Sequence, residues 1–188
     1  MSIFESQIFS KEDYKEKDLG KGDYDICQFI NCDFTGSDLS EIRFADCIFS
    51  DCNLSLVNLT NTSFRDSKFI NCKMLGLHFE DCNKFGLTLH FENCILNNST
   101  FYKLKLKQTN FINSQIKEAD FGECDLTSAI FENCNLEGTI FDNTILEKAD
   151  LRTSYNYIID PENNRLKNAK FSLSGVNGLL NKYNIEIY

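Results

Sequence analysis

Two histidines and nine cysteines are the side chains of this 188-residue chain best suited to chemistry. His78-x-x-x-Cys82 and His90-x-x-x-Cys94 are spaced loosely like a two-Cys, two-His zinc site, which needs four ligands to converge on one ion. Cys32, Cys52 and Cys72 recur every twenty residues, as do Cys27 and Cys47, a spacing that permits disulfide distances. A nucleophilic cysteine would need one of the two histidines as its base, and acid/base catalysis would need paired carboxylates. Which of these is realised depends on the elements that carry the residues and on where those elements point them.

Those elements follow a period of five. Every fifth residue from Phe4 to Phe79 is large and apolar, sixteen in succession. The pattern resumes at Phe91, runs by fives to Leu151, and returns in the same frame at Leu166 and Phe171. Sixteen of the 17 Phe lie on this lattice. Five matches neither the helical period of 3.6 nor the strand period of two, so a repeat this short requires a solenoid. Two residues before most centres stands a small side chain, such as Cys27, Ser37, Ala119 or Ala129, and eight of the nine cysteines fall there. One large and one small inward residue per pentad describe a narrow core filled in layers. From Phe91 the centres alternate Phe with Leu or Ile, a higher period of ten. A four-sided coil of twenty residues produces that alternation, with Phe91, Phe111 and Phe131 in one column opposite Phe101, Phe121 and Phe141. Stacked at about 4.8 Å, about eight coils make an all-β solenoid about 40 Å long, a rod without a concave pocket.

On this lattice the candidate chemistry separates. Cys94 takes an inward small position, whereas His78 and His90 each precede a centre and point outward, so the four cannot converge and no metal is expected. Stacked parallel cysteines in a reducing compartment read as small buried thiols. No base is placed beside a thiol, no Gly-rich phosphate loop is present, and no cofactor is expected. The Asp and Asn residues before many centres recur with the lattice, which assigns them to turns, where short side chains bond nearby backbone. The reading is a non-enzymatic protein.

Charge narrows the partner. The net charge is −9 and the pI near 4.7, which repels nucleic acid and anionic membrane and favours a basic partner. Residues 118 to 150 carry nine acidic groups against Lys148 alone, and residues 1 to 41 carry ten against four basic ones. Between these zones Tyr102, Lys103, Lys105 and Lys107 form a small basic island. The first 25 residues lack the apolar stretch of a signal peptide, and no run of 18 apolar residues occurs, so a cytoplasmic protein is expected.

The lattice breaks twice. Phe79 and Phe91 are twelve residues apart, two pentads plus two, and Lys84 to Phe91 alternates like a strand; a register slip with a bulge or kink is expected at 80–90. Tyr155 to Asn164, with Asp160-Pro161, reads as an outward loop. The repeat domain therefore spans 1–171. In the tail, 172–188, Leu173, Val176, Leu179, Leu180 and Tyr183 have helical spacing, and Ile185 and Ile187 alternate as a strand; this module is expected to cap the rod or dimerise.

Ala119-Asp120-Phe121, Cys124-Asp125-Leu126, Cys134-Asn135-Leu136, Ala149-Asp150-Leu151, Ser37-Asp38-Leu39 and Cys32-Asp33-Phe34 resemble the Ala-(Asp/Asn)-Leu-X-X consensus of the pentapeptide-repeat family. The resemblance covers nearly all of 1–171 and implies a right-handed quadrilateral parallel β-helix with a short C-terminal helix and strand. The tail from Val176 to Ile187 is similar to the segment through which Qnr quinolone-resistance proteins dimerise, and Phe85 to Leu89 is similar to a register break in them. This implies an acidic, DNA-mimicking homodimer that binds DNA gyrase or topoisomerase IV and protects it from fluoroquinolones. The chain departs from that pattern in having no long loop between Ile42 and Phe79. The partner-binding residues expected on this reading are Glu118, Asp120, Glu123, Asp125, Glu132, Glu137, Asp142 and Glu147. The expected dimer residues are Val176, Leu179, Leu180, Tyr183, Ile185 and Ile187. The alternative is a structural or adaptor solenoid that binds another protein.

Overall fold

The computed structural model describes residues 2–186. It is a parallel β-solenoid in which each coil presents four faces. The first face begins as a four-stranded sheet of β1 (Ser2–Glu5), β3 (Gly22–Asp25), β5 (Arg43–Ala45) and β7 (Ser63–Arg65). The second is a seven-stranded sheet of β2 (Ile8–Ser10), β4 (Gln28–Ile30), β6 (Ile48–Ser50), β8 (Ser67–Ile70), β9 (Leu89–Glu92), β10 (Asn110–Ile112) and β11 (Ile130–Glu132). Ladders of single parallel bridges form the third face, from Asp13↔Asp33 to Asn135↔Tyr155, and the fourth, which includes His78↔Thr100↔Asp120↔Ile140. Seven strands stand on the second face, about seven turns rather than eight, and beyond β11 its ladder thins to the single bridges Ile130↔Asp150↔Lys170.

The centres fill the core as stacked rings. Phe91, Phe111 and Phe131 lie parallel at 5.2 and 4.8 Å between centroids, and Phe101, Phe121 and Phe141 at 4.7 and 5.6 Å. The two columns meet edge to face across the coil, as Phe101 does with Phe111 at 6.1 Å, the arrangement that ring quadrupoles favour. Before the slip the aromatic columns are neighbours instead: Phe44 and Phe64 stack on the first face beside Phe49 and Phe69 on the second. At the slip the first face changes from Phe64 to Leu106, and the fourth from Leu59 to Phe79 and Phe101. Most coils thus keep two aromatic and two aliphatic centres, which holds the core volume nearly constant.

Corners turn through left-handed backbone, which Asn and Asp tolerate better than other residues with a Cβ. Asn31, Asp51, Asn71, Asn93, Asn113 and Asn133 form one corner column with φ between +50° and +56°. Its side chains bond from coil to coil, Asn71 Nδ2 to Asp51 Oδ1 at 3.0 Å and Asn93 Nδ2 to Asn71 Oδ1 at 3.1 Å. Asp and Asn before the centres accept from the backbone two residues on, as Asp33 does from Thr35 and Asp120 from Gly122.

The small inward position does more than save space. The thiols of Cys52, Cys72, Cys94 and Cys134 each lie 3.3 Å from a centre's carbonyl oxygen in the preceding coil, those of Phe29, Phe49, Phe69 and Phe111. Thr144 Oγ1 donates to the Phe121 carbonyl at 2.9 Å, and the Asn164 amide to that of Phe141 at 3.0 Å. These groups give the centres' carbonyls an inward partner, in the case of Phe121 besides the Cys124 N–H at 3.1 Å.

Three expectations are corrected. The stretch from Lys84 to Thr88 is a turn, and the strand starts only at Leu89: Ser67 pairs with Leu89, twenty-two residues on, so the two extra residues bulge outward at Phe85 and Gly86. The segment 155–164 is not simply turned outward, since Tyr157 and Ile159 are buried and Asn164 fills the inward slot before Leu166. The tail holds a single α-helical turn, α1 (Asn177–Leu180), flanked by 3-10 turns at Leu173–Gly175 and Asn181–Tyr183. Ile185 lies in no strand, because Asn184 turns the chain at φ +49°; Ile187 lies outside the described residues. No helix among the described residues is long and apolar enough to cross a membrane.

Candidate functional site

A solenoid wraps consecutive residues around all its faces, so the eight acidic residues singled out from sequence do not share a surface. Glu118 and Glu137 lie on the third face, where the Glu118 N–H donates to the Glu137 carbonyl at 2.8 Å. Asp120, Glu123 and Asp142 belong to the fourth, Asp125 and Glu147 to the first, and Glu132 to β11 on the second.

Half of the eight are already partnered. Lys103 Nζ lies 3.4 Å from Glu123, which also accepts from the Tyr102 hydroxyl at 2.6 Å. That hydroxyl, then Lys103, holds the Glu123 carboxyl below its usual range. Lys107 reaches Asp125 at 3.1 Å; burial works to raise the Asp125 pKa, but the bonds from Thr127 and the Lys107 ammonium outweigh it and lower it. Lys117 pairs with Glu137 at 2.7 Å and Arg165 with Glu147 at 2.6 Å. The basic island thus neutralises part of the acidic zone one coil away. Glu118, Asp120, Glu132 and Asp142 have no cation in ion-pair range among the described residues.

The face that collects acid is the fourth. Asp120 and Asp142 are joined there by Asp38, Glu41, Glu80 and Asp81 from coils far away in sequence, with Glu123 on the adjoining corner. Lys21 and Lys103 are its cations, and Lys21 is occupied by Asp38 at 3.0 Å and the Ser40 carbonyl at 2.7 Å. Glu80 and Asp81 fell outside both acidic zones of the sequence. Folding the chain in steps of twenty, with the two-residue slip, is the signal that places them in the row.

His78 and His90 sit on the fourth and second faces, while Cys82 and Cys94 are buried, so the zinc-like spacing brings no four ligands together. All nine thiols are buried and free. Burial pushes those of Cys47, Cys124 and Cys134 up to about 12, which leaves no activated nucleophile among these three.

The expected dimer residues are also divided. Leu179 packs on the chain's own core, and Val176 and Leu180 are half-buried. The Tyr183 hydroxyl donates to Glu162 at 3.0 Å, beside Lys182, which bridges Asp160 at 2.8 Å and Glu162 at 2.6 Å. Ile185 is exposed, as is Leu173 at 91 %, the first residue of the helically spaced set.

Comparison with known proteins agrees with this architecture. A family model described as pentapeptide repeat region matches residues 24–89 and 87–155. A trypsin-treated variant of QnrB1, a plasmid-mediated fluoroquinolone resistance protein, superposes with a TM-score of 0.65 at 18% identity, covering 97% of this chain and 99% of that one. Full-length QnrB1 gives 0.50 at 18% identity, with 98% and 100% covered. HetL, a pentapeptide repeat protein involved in heterocyst differentiation regulation from the cyanobacterium Nostoc sp. strain PCC 7120, gives 0.54 at 14% identity, with 92% and 88% covered. No curated protein sequence matches. At these identities the structural likeness speaks to the fold, and with the family match it shows that this chain belongs to the pentapeptide-repeat family.

Proposed function

We propose that the chain is a protein-binding rod that offers its fourth face to the DNA-binding surface of a type II topoisomerase, DNA gyrase or topoisomerase IV. The observation that carries this reading is the row of Asp38, Glu80, Asp81, Asp120 and Asp142 along one flat face, with no cation paired to Asp120 or Asp142. The face bears about one carboxylate per rung of about 4.8 Å, against one charge per about 1.7 Å of duplex axis. It therefore imitates the sign and the rod shape of DNA at roughly a third of its charge density, and its binding weakens with salt less steeply than that of DNA itself. Likeness to QnrB1 supports the choice of partner, and protection from fluoroquinolones is the corresponding activity. The exposed Leu173 and Ile185 support a homodimer closed through the tail.

A supercoiling assay with purified gyrase tests it. Inhibition of the enzyme, or relief of fluoroquinolone inhibition, is expected at low salt. Replacing Asp120 and Asp142 together by Asn reduces it, while Glu132→Gln on the second face does not. No effect of the wild-type chain at any low-salt concentration rejects the reading. The second reading, an adaptor for a protein other than a topoisomerase, is favoured by the neutralisation of Glu123, Asp125, Glu137 and Glu147 within the chain. A topoisomerase effect equal in the wild type and the Asp120/Asp142 double variant would move the contact off the fourth face, and no effect of either would select the adaptor. Light scattering that still shows a dimer after removal of residues 172–188 would displace the dimer contact from the tail.

A further inference from the structure

The two residues gained at the register slip alter the surface and not the core. Phe85, the one Phe off the lattice, is 78 % exposed on the first face. Its ring stands by Arg65, whose guanidinium carbon is 5.4 Å from the ring centroid. Gly86 at φ +69° makes the turn, and its Cα faces Arg65 so closely that a Cβ would stand 3.3 Å from Nε. Leu87 packs on the core in place of the displaced centre. The four-stranded sheet ends at β7, so the turn projects where the next strand would lie.

The cations around this knob are unneutralised. Arg65 on β7, Lys84 in the turn and Lys105 on the next rung are exposed, and none has a carboxylate in ion-pair range among the described residues. Lys103 and Lys107, close by in sequence, both have one. In a chain of net charge −9, an exposed ring against a free arginine, with unpaired lysines at the preceding residue and one rung on, is the reverse of a solubilising surface. Arginine and aromatic anchors of this kind dominate protein interfaces.

We propose that Phe85 with Arg65, Lys84 and Lys105 forms a second docking surface, on the face next to the acidic one, for an acidic protein segment whose apolar side chains receive the ring. Local charge complementarity selects an acidic partner. The convex ring selects one with apolar groups to cover it. A nucleic acid meets the field of the whole acidic rod, whereas a short segment meets the potential within about 8 to 10 Å. This surface stands whether or not the topoisomerase reading does.

Fluorescence anisotropy with the full chain tests the proposal. The probes are labelled peptides of about twelve residues that alternate Glu with Leu or Phe, the same peptides with Lys for Glu, and a single-stranded oligothymidylate. Binding of the Glu peptides at low salt is expected, with affinity about tenfold lower for Phe85→Ala and for the Lys84→Glu/Lys105→Glu pair. The Asp120→Asn/Asp142→Asn variant binds them as the wild type does. Circular dichroism melts of the variants match the wild type, because these side chains are exposed, which separates lost binding from lost fold. Absent binding of the Glu peptides, equal binding of the Lys peptides or the oligonucleotide, or indifference to both sets of substitutions overturns it.

Discussion

The main chain of Gly178 lies against that of Tyr157: a Cβ built on Gly178 would stand 2.1 Å from the Tyr157 carbonyl oxygen, while the Ile159 N–H donates to the Gly178 carbonyl at 3.0 Å. The tail is therefore seated on the last coil by backbone. Gly178→Ala is expected to lift α1 at a cost of about 1–3 kcal/mol, the usual range for overpacking a close contact. Hydrogen exchange at Ile159 should accelerate while amides of β6 and β10 hold their protection. Unchanged exchange at Ile159 would show that the tail docks elsewhere.

The inward hydroxyls and thiols carry a second expectation. Thr144→Val keeps the shape of the side chain but leaves the Phe121 carbonyl without the 2.9 Å bond it accepts. The carbonyl still accepts from the Cys124 N–H at 3.1 Å, so the loss is that of one buried hydrogen bond, about 0.5–1.5 kcal/mol. Thr144→Ser restores the donor and should recover most of that loss in urea unfolding. Equal stabilities of the Val and Ser variants would make size, and not hydrogen bonding, the rule at this position.

Asp38 gives a dependence on acid. Burial works to raise its pKa, but the Ser40 N–H and hydroxyl and the Lys21 ammonium outweigh it and bring it to about 2. A carboxyl lowered in the fold stabilises fully above its unfolded pKa, near 4. That contribution is lost as pH falls through about 2. The side chain is half exposed, so solvent screening limits the contribution to about 1 kcal/mol. Asp38→Asn should flatten the stability profile between those two pH values and leave its slope above pH 5 unchanged. A steeper acid limb in the variant would contradict the assignment.

The thiols should report the intact core. With Cys47, Cys124 and Cys134 raised to about 12 by burial, a disulfide reagent at pH 8 meets neutral, inaccessible sulfur. Slow labelling of the native chain is expected, and rapid labelling of all nine cysteines in denaturant. One thiol reacting at the rate of a free cysteine in the native state would locate an opening in the solenoid.

The parts read correctly before the structure were those in which each inward side chain obeys one local rule. Phe111 and Phe131 stack at 4.8 Å because their positions differ by one full coil, and that distance along the chain is visible in the residues themselves. Asp33 and Asp120 bond their own turns, again a local matter. Lys84 to Thr88 misled because its alternation mimics a strand, while the ladder at that level had already taken its pairing from Leu89 to Glu92. Tyr157 and Ile159 were misread because their burial depends on Gly175 and Gly178 closing over them from the tail.

The spacing of bulky and compact residues alone determined that the chain winds into a four-sided rod, because a core this narrow admits two inward side chains per pentad and no other arrangement buries them. Only the tertiary structure decided which charges act together. Neighbours on a face are twenty residues apart below the slip and twenty-two across it, so Asp81 stands with Asp120 and Asp142, whereas Glu132, nearer in sequence, looks out from another side. The same two residues, too many for the core to hold, put Phe85 into solvent beside Arg65.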